Sequence, residues 1–244
     1  MSPPMRALDL NCDLGEGGAH DAELMSLVTS ANLACGAHAG DAATMRAAVA
    51  LAQRHGVAIG AHPGFADREH FGRRELRLPP EEIRRLVRGQ IEALRALAPL
   101  RHVKPHGALY NLAARDATVA RAVAEAVHDV DAALVLVGLA DSVSLAAGRE
   151  AGLRVAGEFF ADRGYAPDGT LAPRGTPGAL LGVEAAVAQT LSFAQTGQVR
   201  ATDGTDLAVE AETVCVHGDG PHALELARAL RAALKAVGAE LRAL

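Results

Sequence analysis

The sequence predicts an α/β protein, a seven-stranded (β/α) barrel of the TIM-like kind, and three observations lead there. Short β-branched, apolar segments alternate with Ala/Leu-rich helical stretches, the pattern of a parallel sheet with right-handed crossovers. The length, 244 residues, matches a barrel, which commonly runs to about 250 residues. Ionisable residues recur on one face of the strands, close to their C-terminal ends, where barrel enzymes place their chemistry.

The strand-like segments are Ala7–Leu14, Ser30–Cys35, Val57–His62, His102–His106, Ala133–Leu139, Val155–Phe160 and Thr213–His217. Helical patterns fill most gaps. Asp21–Val28 and Asp41–Arg54 each open on an Asp suited to capping the first free N–H groups. Pro79-Pro80-Glu81-Glu82 opens a helix running to about Ala98, its acidic residues at the positive end of the helix dipole. Tyr110–His128, Ser142–Glu150, Gly182–Gln195 and His222–Leu241 complete the set. Residues 1–244 therefore read as one barrel domain with an insertion at about 162–212 before the last strand. Within it, Gln198–Arg200 and Leu207–Glu210 can pair as a hairpin turning at Asp203-Gly204. A doubly wound open sheet is the rival architecture. No G-x-G-x-x-G follows the first strand, which weakens its dinucleotide-binding form.

Composition narrows the function. The formal charge of −5 and the lack of a basic stripe argue against a nucleic-acid surface. No apolar run reaches the ~20 residues of a membrane span, and the N-terminus leads straight into the first strand without a signal-peptide pattern. The three cysteines, Cys12, Cys35 and Cys215, form no C-x-x-C and fit reduced thiols. A cytoplasmic location is expected. A homo-oligomer is left open.

Strand parity locates the candidate chemistry. Side chains alternate between the two faces of a strand. Asp9, Asn11 and Asp13 share one face of the first strand. Asn32 and, if the second strand runs on, His38 lie on the corresponding face. Gly60 with His62, Lys104 with His106, Ala156 with Glu158, and Cys215 with His217 follow in the later strands. The opposite faces are large and apolar and must pack on the helices. The polar faces then point into the barrel, where a lone charge costs several kcal/mol, so these groups must pair, bind a metal or meet a ligand. His102 begins its strand, points to the other end of the barrel and is left out of the site. His20, His55, His70, His128 and His222 fall on helices or loops and are expected in solvent.

On this reading Asp13, Lys104, His106, Glu158 and His217 are the candidate catalytic residues. Asn11, Arg73, Arg74, Asp162, Arg163 and Asp219 are candidates for binding substrate, the arginines through a carboxylate. Asp13, His38 and His62 end three consecutive strands and form a candidate divalent-metal set. Lys104 suits a carboxylate, a phosphate or a developing oxyanion; its alternative is a salt bridge with Asp13 or Glu158.

The chain also resembles the LamB/YcsF family, the A-type subunit of 5-oxoprolinase. The matching stretches are Asp9-Leu-Asn-Cys-Asp-Leu-Gly-Glu16, Ser30-Ala-Asn-Leu-Ala-Cys-Gly-Ala-His-Ala-Gly-Asp41, Gly60-Ala-His-Pro-Gly-Phe65, Phe71-Gly-Arg-Arg74, Val103-Lys-Pro-His-Gly-Ala-Leu-Tyr-Asn111, Glu158-Phe-Phe-Ala-Asp-Arg163 and Cys215-Val-His-Gly-Asp219. They come in the family's order and cover nearly the whole chain. The resemblance implies a barrel similar to the glycoside hydrolase/deacetylase fold. It also implies ATP-dependent cleavage of 5-oxo-L-proline to L-glutamate alongside subunits B and C. No G-x-x-x-x-G-K-[ST] loop is present, so ATP with Mg²⁺ falls to the partner subunits or to an unusual site here. The competing readings are a metal-dependent deacetylase of sugars and a non-catalytic scaffold for subunits B and C.

Overall fold

The computed structural model describes residues 7–220 and 222–244. Seven parallel strands close into a barrel: β1 (Asp9–Leu14), β2 (Ser30–Ala34), β3 (Ala58–His62), β4 (His102–Val103), β5 (Val135–Leu139), β6 (Arg154–Phe160) and β9 (Thr213–His217), which pairs with both β6 and β1. The closed ring excludes the open doubly wound sheet. A two-stranded antiparallel sheet, β7 (Gln198–Arg200) with β8 (Asp206–Ala208), lies in the insertion before β9 and turns through Asp203-Gly204. Among the described residues no helix is long and apolar enough to cross a membrane.

The helices are α1 (Asp21–Met25), α2 (Ala42–His55), α3 (Pro80–Arg95), α4 (Gly107–Ala113), α5 (Ala117–Val130), α6 (Val143–Glu150), α7 (Val183–Thr196) and α8 (Ala223–Ala236). Asp41 caps α2 by accepting from the backbone N–H groups of Ala43 and Thr44. α3 starts at Pro80, where the missing N–H costs nothing. It buries Ile83, Val87, Ile91 and Leu94 on one stripe.

Two expected elements differ. The sequence predicts one helix over Tyr110–His128, but Asp116 breaks it. Its carboxylate accepts from Thr118 and Val119 and starts α5 as a new helix. The predicted strand His102–His106 shrinks to His102–Val103 because Pro63 and Pro105 remove ladder donors. The path continues extended all the same: Lys104 N–H donates to Ala61 O at 3.0 Å and His106 N–H to Pro63 O at 2.8 Å. Both side chains therefore stay on course for the strand end.

Leu8 just before β1 and Leu10, Cys12 and Leu14 on it, with Leu33, Ile59, Val103, Leu136, Phe159 and Val216, form the shell between barrel and helices. The barrel interior holds the polar set, as parity requires. Asp9, Asn11, Asp13, Asn32, His102, Lys104 and Glu158 are all buried there. His20, His55, His70, His128 and His222 are exposed.

Candidate active site

The interior groups stack in layers along the barrel axis. At the bottom, the Asp9 carboxylate accepts from Thr29, Ser30 and Thr213 hydroxyls at 2.6–2.7 Å. One layer up, Asn11 donates to Glu158 Oε1 at 3.0 Å and to Thr213 Oγ1 at 2.7 Å. Asn32 donates to Asn11 Oδ1 at 2.7 Å and to Asp13 Oδ1 at 2.8 Å. His102 Nε2 donates to Asn32 Oδ1 at 2.7 Å. That last bond fixes which way the Asn32 amide faces, and so which group it offers Asp13. His102 is thus buried beside the polar column rather than at the far end, because Gly60 opposite it has no Cβ to block the ring.

Lys104 sits above. Its ammonium reaches Asp13 Oδ1 at 2.9 Å, Glu158 Oε1 at 2.8 Å and Cys215 Sγ at 3.0 Å. Burial drives the Lys104 pKa down, but Asp13, Cys215 and Glu158 outweigh it and hold the group charged. Burial pushes the Asp13 carboxyl up; the His62 and Lys104 charges overcome it and hold it well below the usual range. The salt-bridge alternative for Lys104 is therefore realised. It does not remove Lys104 from the site, because Asp13 and Lys104 both border the main cavity.

That cavity, about 530 Å³, opens at the C-terminal strand ends and is lined by Asp13, His62, Lys104, His106, Phe160 and His217 among others. On its far wall His217 Nδ1 lies 2.9 Å from both Asp162 carboxylate oxygens. Burial raises the Asp162 pKa, and the His217 charge and bond more than reverse this.

Beside the cavity a histidine cluster surrounds Glu16. Glu16 Oε1 is 3.1 Å from His38 Nε2, 3.2 Å from His106 Nδ1 and 3.7 Å from His62 Nε2. Burial raises the Glu16 pKa, but bonds from His106 and His38 and the His62 charge leave it strongly depressed. Burial lowers His38 to about 4, against the pull of Glu16. His62 instead ends above its usual value, since Asp13 and Glu16 overcome its desolvation. Among the described residues two groups could hold a cation: Glu16 with His38, His62 and His106, and Asp13 with Cys215 and His217.

The structure redistributes the expected metal set. His38 and His62 do lie together, but Asp13 Oδ2 is 3.4 Å from His62 Nε2 while its other oxygen is held by Lys104 and Asn32. Glu16 occupies the centre that parity had given to Asp13. Parity could not see it, because Gly15 takes a left-handed turn (φ 75°) that ends the alternation and swings Glu16 back over the barrel. The available signal was its place in the Asp9–Glu16 stretch.

The expected substrate-binding residues are dispersed. Arg73 pairs with Asp219 across the mouth, joining the loops after β3 and β9. Arg74 reaches Asp67 at 3.3 Å and is mostly in solvent. Arg163 is buried and donates to the carbonyls of Ala172 and Ala179, so it ties down the insertion loop as well as lining the cavity. Asn11 and Glu158 lie beneath the cavity rather than on its wall. Tyr110, absent from the expected set, does line it.

Residues 8–244 match the model of the LamB/YcsF family. The chain belongs to the LamB/YcsF family. A crystal structure of a lactam utilization protein from Thermus thermophilus is 48% identical, covering 98% of this chain and 100% of that one with a TM-score of 0.92. An uncharacterised protein from Agrobacterium tumefaciens C58 aligns over 98% of this chain and 86% of its own at 10% identity and TM-score 0.56. A family 4 carbohydrate esterase from Streptomyces lividans, in complex with acetate, aligns over 98% and 92% at 9% identity and TM-score 0.51. These two likenesses extend to the fold alone. They place this LamB/YcsF member among TIM-like barrels that include a carbohydrate esterase.

Proposed function

We propose that this chain opens the lactam ring of 5-oxo-L-proline to give L-glutamate, as the A-type subunit of an ATP-dependent 5-oxoprolinase working in the cytoplasm with subunits B and C. The observation that carries the proposal is the 48% identity, over nearly the full length of both chains, to a protein described as a lactam utilization protein. The cavity supports it chemically. Opening a lactam needs water to add to the carbonyl carbon, the C–N bond to break and the nitrogen to take up a proton. In this reading Asp13, a carboxylate at the cavity wall, takes the water's proton. The Lys104 ammonium offers positive charge to the developing oxyanion. His217, oriented by Asp162, is placed to supply the proton to the leaving nitrogen. ATP with Mg²⁺ is assigned to subunits B and C. A divalent metal ion at the Glu16–histidine cluster is proposed alongside this assignment and does not carry it. The three buried, unbridged thiols fit a reducing compartment.

The test is reconstitution. Purified chain, subunits B and C, 5-oxo-L-proline and ATP should yield glutamate and phosphate together, and omitting this chain should abolish glutamate. Glutamate formation that persists without it would refute the assignment. One observation favours a second reading, a metal-dependent deacetylase of sugars: the Glu16–histidine cluster. Acetate release from acetylated sugars by this chain alone would establish it.

A further inference from the structure

The hydrogen bonds around Glu16 turn several ligand atoms toward one point, where a cation fits. His62 Nδ1 lies 2.7 Å from the Lys104 carbonyl, and His106 Nε2 lies 2.8 Å from the Phe71 carbonyl. A carbonyl can only accept, so both of those nitrogens carry hydrogen. With both rings neutral, the remaining nitrogens, His62 Nε2 and His106 Nδ1, present lone pairs to each other at 2.9 Å, a meeting that either a proton on His62 or a bound cation relieves. Both also face Glu16 Oε1, at 3.7 and 3.2 Å, so three acceptors converge on one point.

We infer that Glu16, His62 and His106 form a three-ligand site for a divalent metal of the zinc type, with the fourth position open to the cavity and with Asp13 and His38 outside the ligand set. The spacing fits. Bonds of about 2.0–2.2 Å in a tetrahedron set ligand atoms roughly 3.3–3.6 Å apart, and the three observed separations, 2.9, 3.2 and 3.7 Å, bracket that edge. The surroundings fit as well. Metal-bound histidines usually donate their second N–H to a carbonyl or carboxylate, and both of these do.

His38 does not meet the same conditions. Its ring stacks on His106 at 3.8 Å, with 1° between the planes. An ion in the plane of one ring cannot lie in the plane of the other, so only one of the two can ligate. His38 Nδ1 is buried with no partner, whereas its Nε2 can donate to Glu16 and orient that carboxylate. Asp13 is engaged by Lys104 and Asn32. Two histidines and one glutamate with an open position is a donor set found in catalytic zinc sites. Such an ion would supply a water of lowered pKa. The lactam reading enters only in giving that water a purpose.

The test needs no substrate. Chelator-stripped protein is titrated with Co²⁺, then with Zn²⁺ in competition, and read by visible absorbance, metal content and thermal unfolding. One Co²⁺ per chain with the intense bands of four-coordinate cobalt is expected, together with a rise in melting temperature. E16Q, H62Q and H106Q should lose the bands. D13N should keep them at full stoichiometry. H38Q should keep the bands and bind ~10–100-fold more weakly, as for loss of an orienting partner. No stoichiometric Co²⁺ on the wild-type protein would overturn the site. Bands that survive E16Q but vanish in D13N, or vanish in H38Q at saturating metal, would overturn the ligand set. If a ligand variant fails to fold by circular dichroism, the wild-type stoichiometry and the D13N and H38Q results still decide. Failure to bind metal leaves the lactam assignment standing, and failure to open lactam leaves the metal site standing.

Discussion

Replacing Gly60 with alanine should disturb the barrel far more than a single methyl group suggests. A Cβ at position 60 would meet His102 Nε2 at 2.1 Å, Cδ2 at 2.3 Å and Cε1 at 2.5 Å, more than an ångström inside contact distance. The ring cannot slide away cheaply, since it is 1% exposed and bonded to Asn32 at 2.7 Å. Gly60 has an ordinary backbone conformation, so the cost is steric and lies with the ring. Overpacking costs about 1–3 kcal/mol. Loss of the His102–Asn32 bond, stranding a buried acceptor, adds about 1–3 kcal/mol. The sum, roughly 2–6 kcal/mol, corresponds to a fall in melting temperature of about 5–20 °C for a chain of this size. The assay is a double-mutant cycle by urea unfolding with Gly60→Ala and His102→Ala. Alanine at 60 should be nearly neutral once the ring is gone, giving a coupling of about 2 kcal/mol or more. Equal cost in both backgrounds would refute the argument. Lactam turnover should also fall in Gly60→Ala, because His102 sets the Asn32 amide that faces Asp13.

Three further outcomes follow, two from the same column of buried groups and one from the cavity rim. Lys104→Met leaves Asp13 and Glu158 without their shared cation and should cost about 3–5 kcal/mol in equilibrium unfolding; a loss below 1 kcal/mol would show that the ion pairs are not closed in solution. Burial, with the Lys104 charge, holds His102 down to about 3, against about 6.5 for a free histidine. Its folded value is the depressed one, so the stability it supports is complete above about pH 6.5 and drains as pH falls toward 3, by up to ~1.4 kcal/mol per unit. His102→Gln, which can still donate to Asn32 but takes no proton, should flatten that part of the stability–pH curve; an unchanged slope would count against a neutral His102. Arg73→Ala opens an exposed pair with Asp219 and should change stability by less than about 1 kcal/mol, while a raised KM for the lactam would show that the bridged loops shape the cavity mouth.

The periodicity of two was enough to find the polar interior. Asp13 and Lys104 sit where alternation and strand ends place them, and Glu158 shares their inward face but lies a level lower, because a parallel barrel leaves an inward side chain nowhere else to go. His102 escaped for a related reason. Alternation gives it the inward face, but only the register that sets it opposite Gly60 shows the ring filling the space a Cβ would have taken. Arg73 and Asp219 lie far apart in the chain, and no sequence pattern joins them. They meet because β1 and β9 close the barrel and bring the loops after β3 and β9 to one rim.

From the chain alone came the α/β class, the strand set, the inward face and, through its motifs, the resemblance to the LamB/YcsF family. Those features are local or periodic, and secondary structure reads them directly. The tertiary structure decided which acids and imidazoles converge. Asp13 went to Lys104 and Asn32, and Glu16 to the histidines, because a left-handed Gly15 turns the chain back after β1. Convergence depends on barrel closure and on the direction of single turns, and neither is encoded in spacing along one strand.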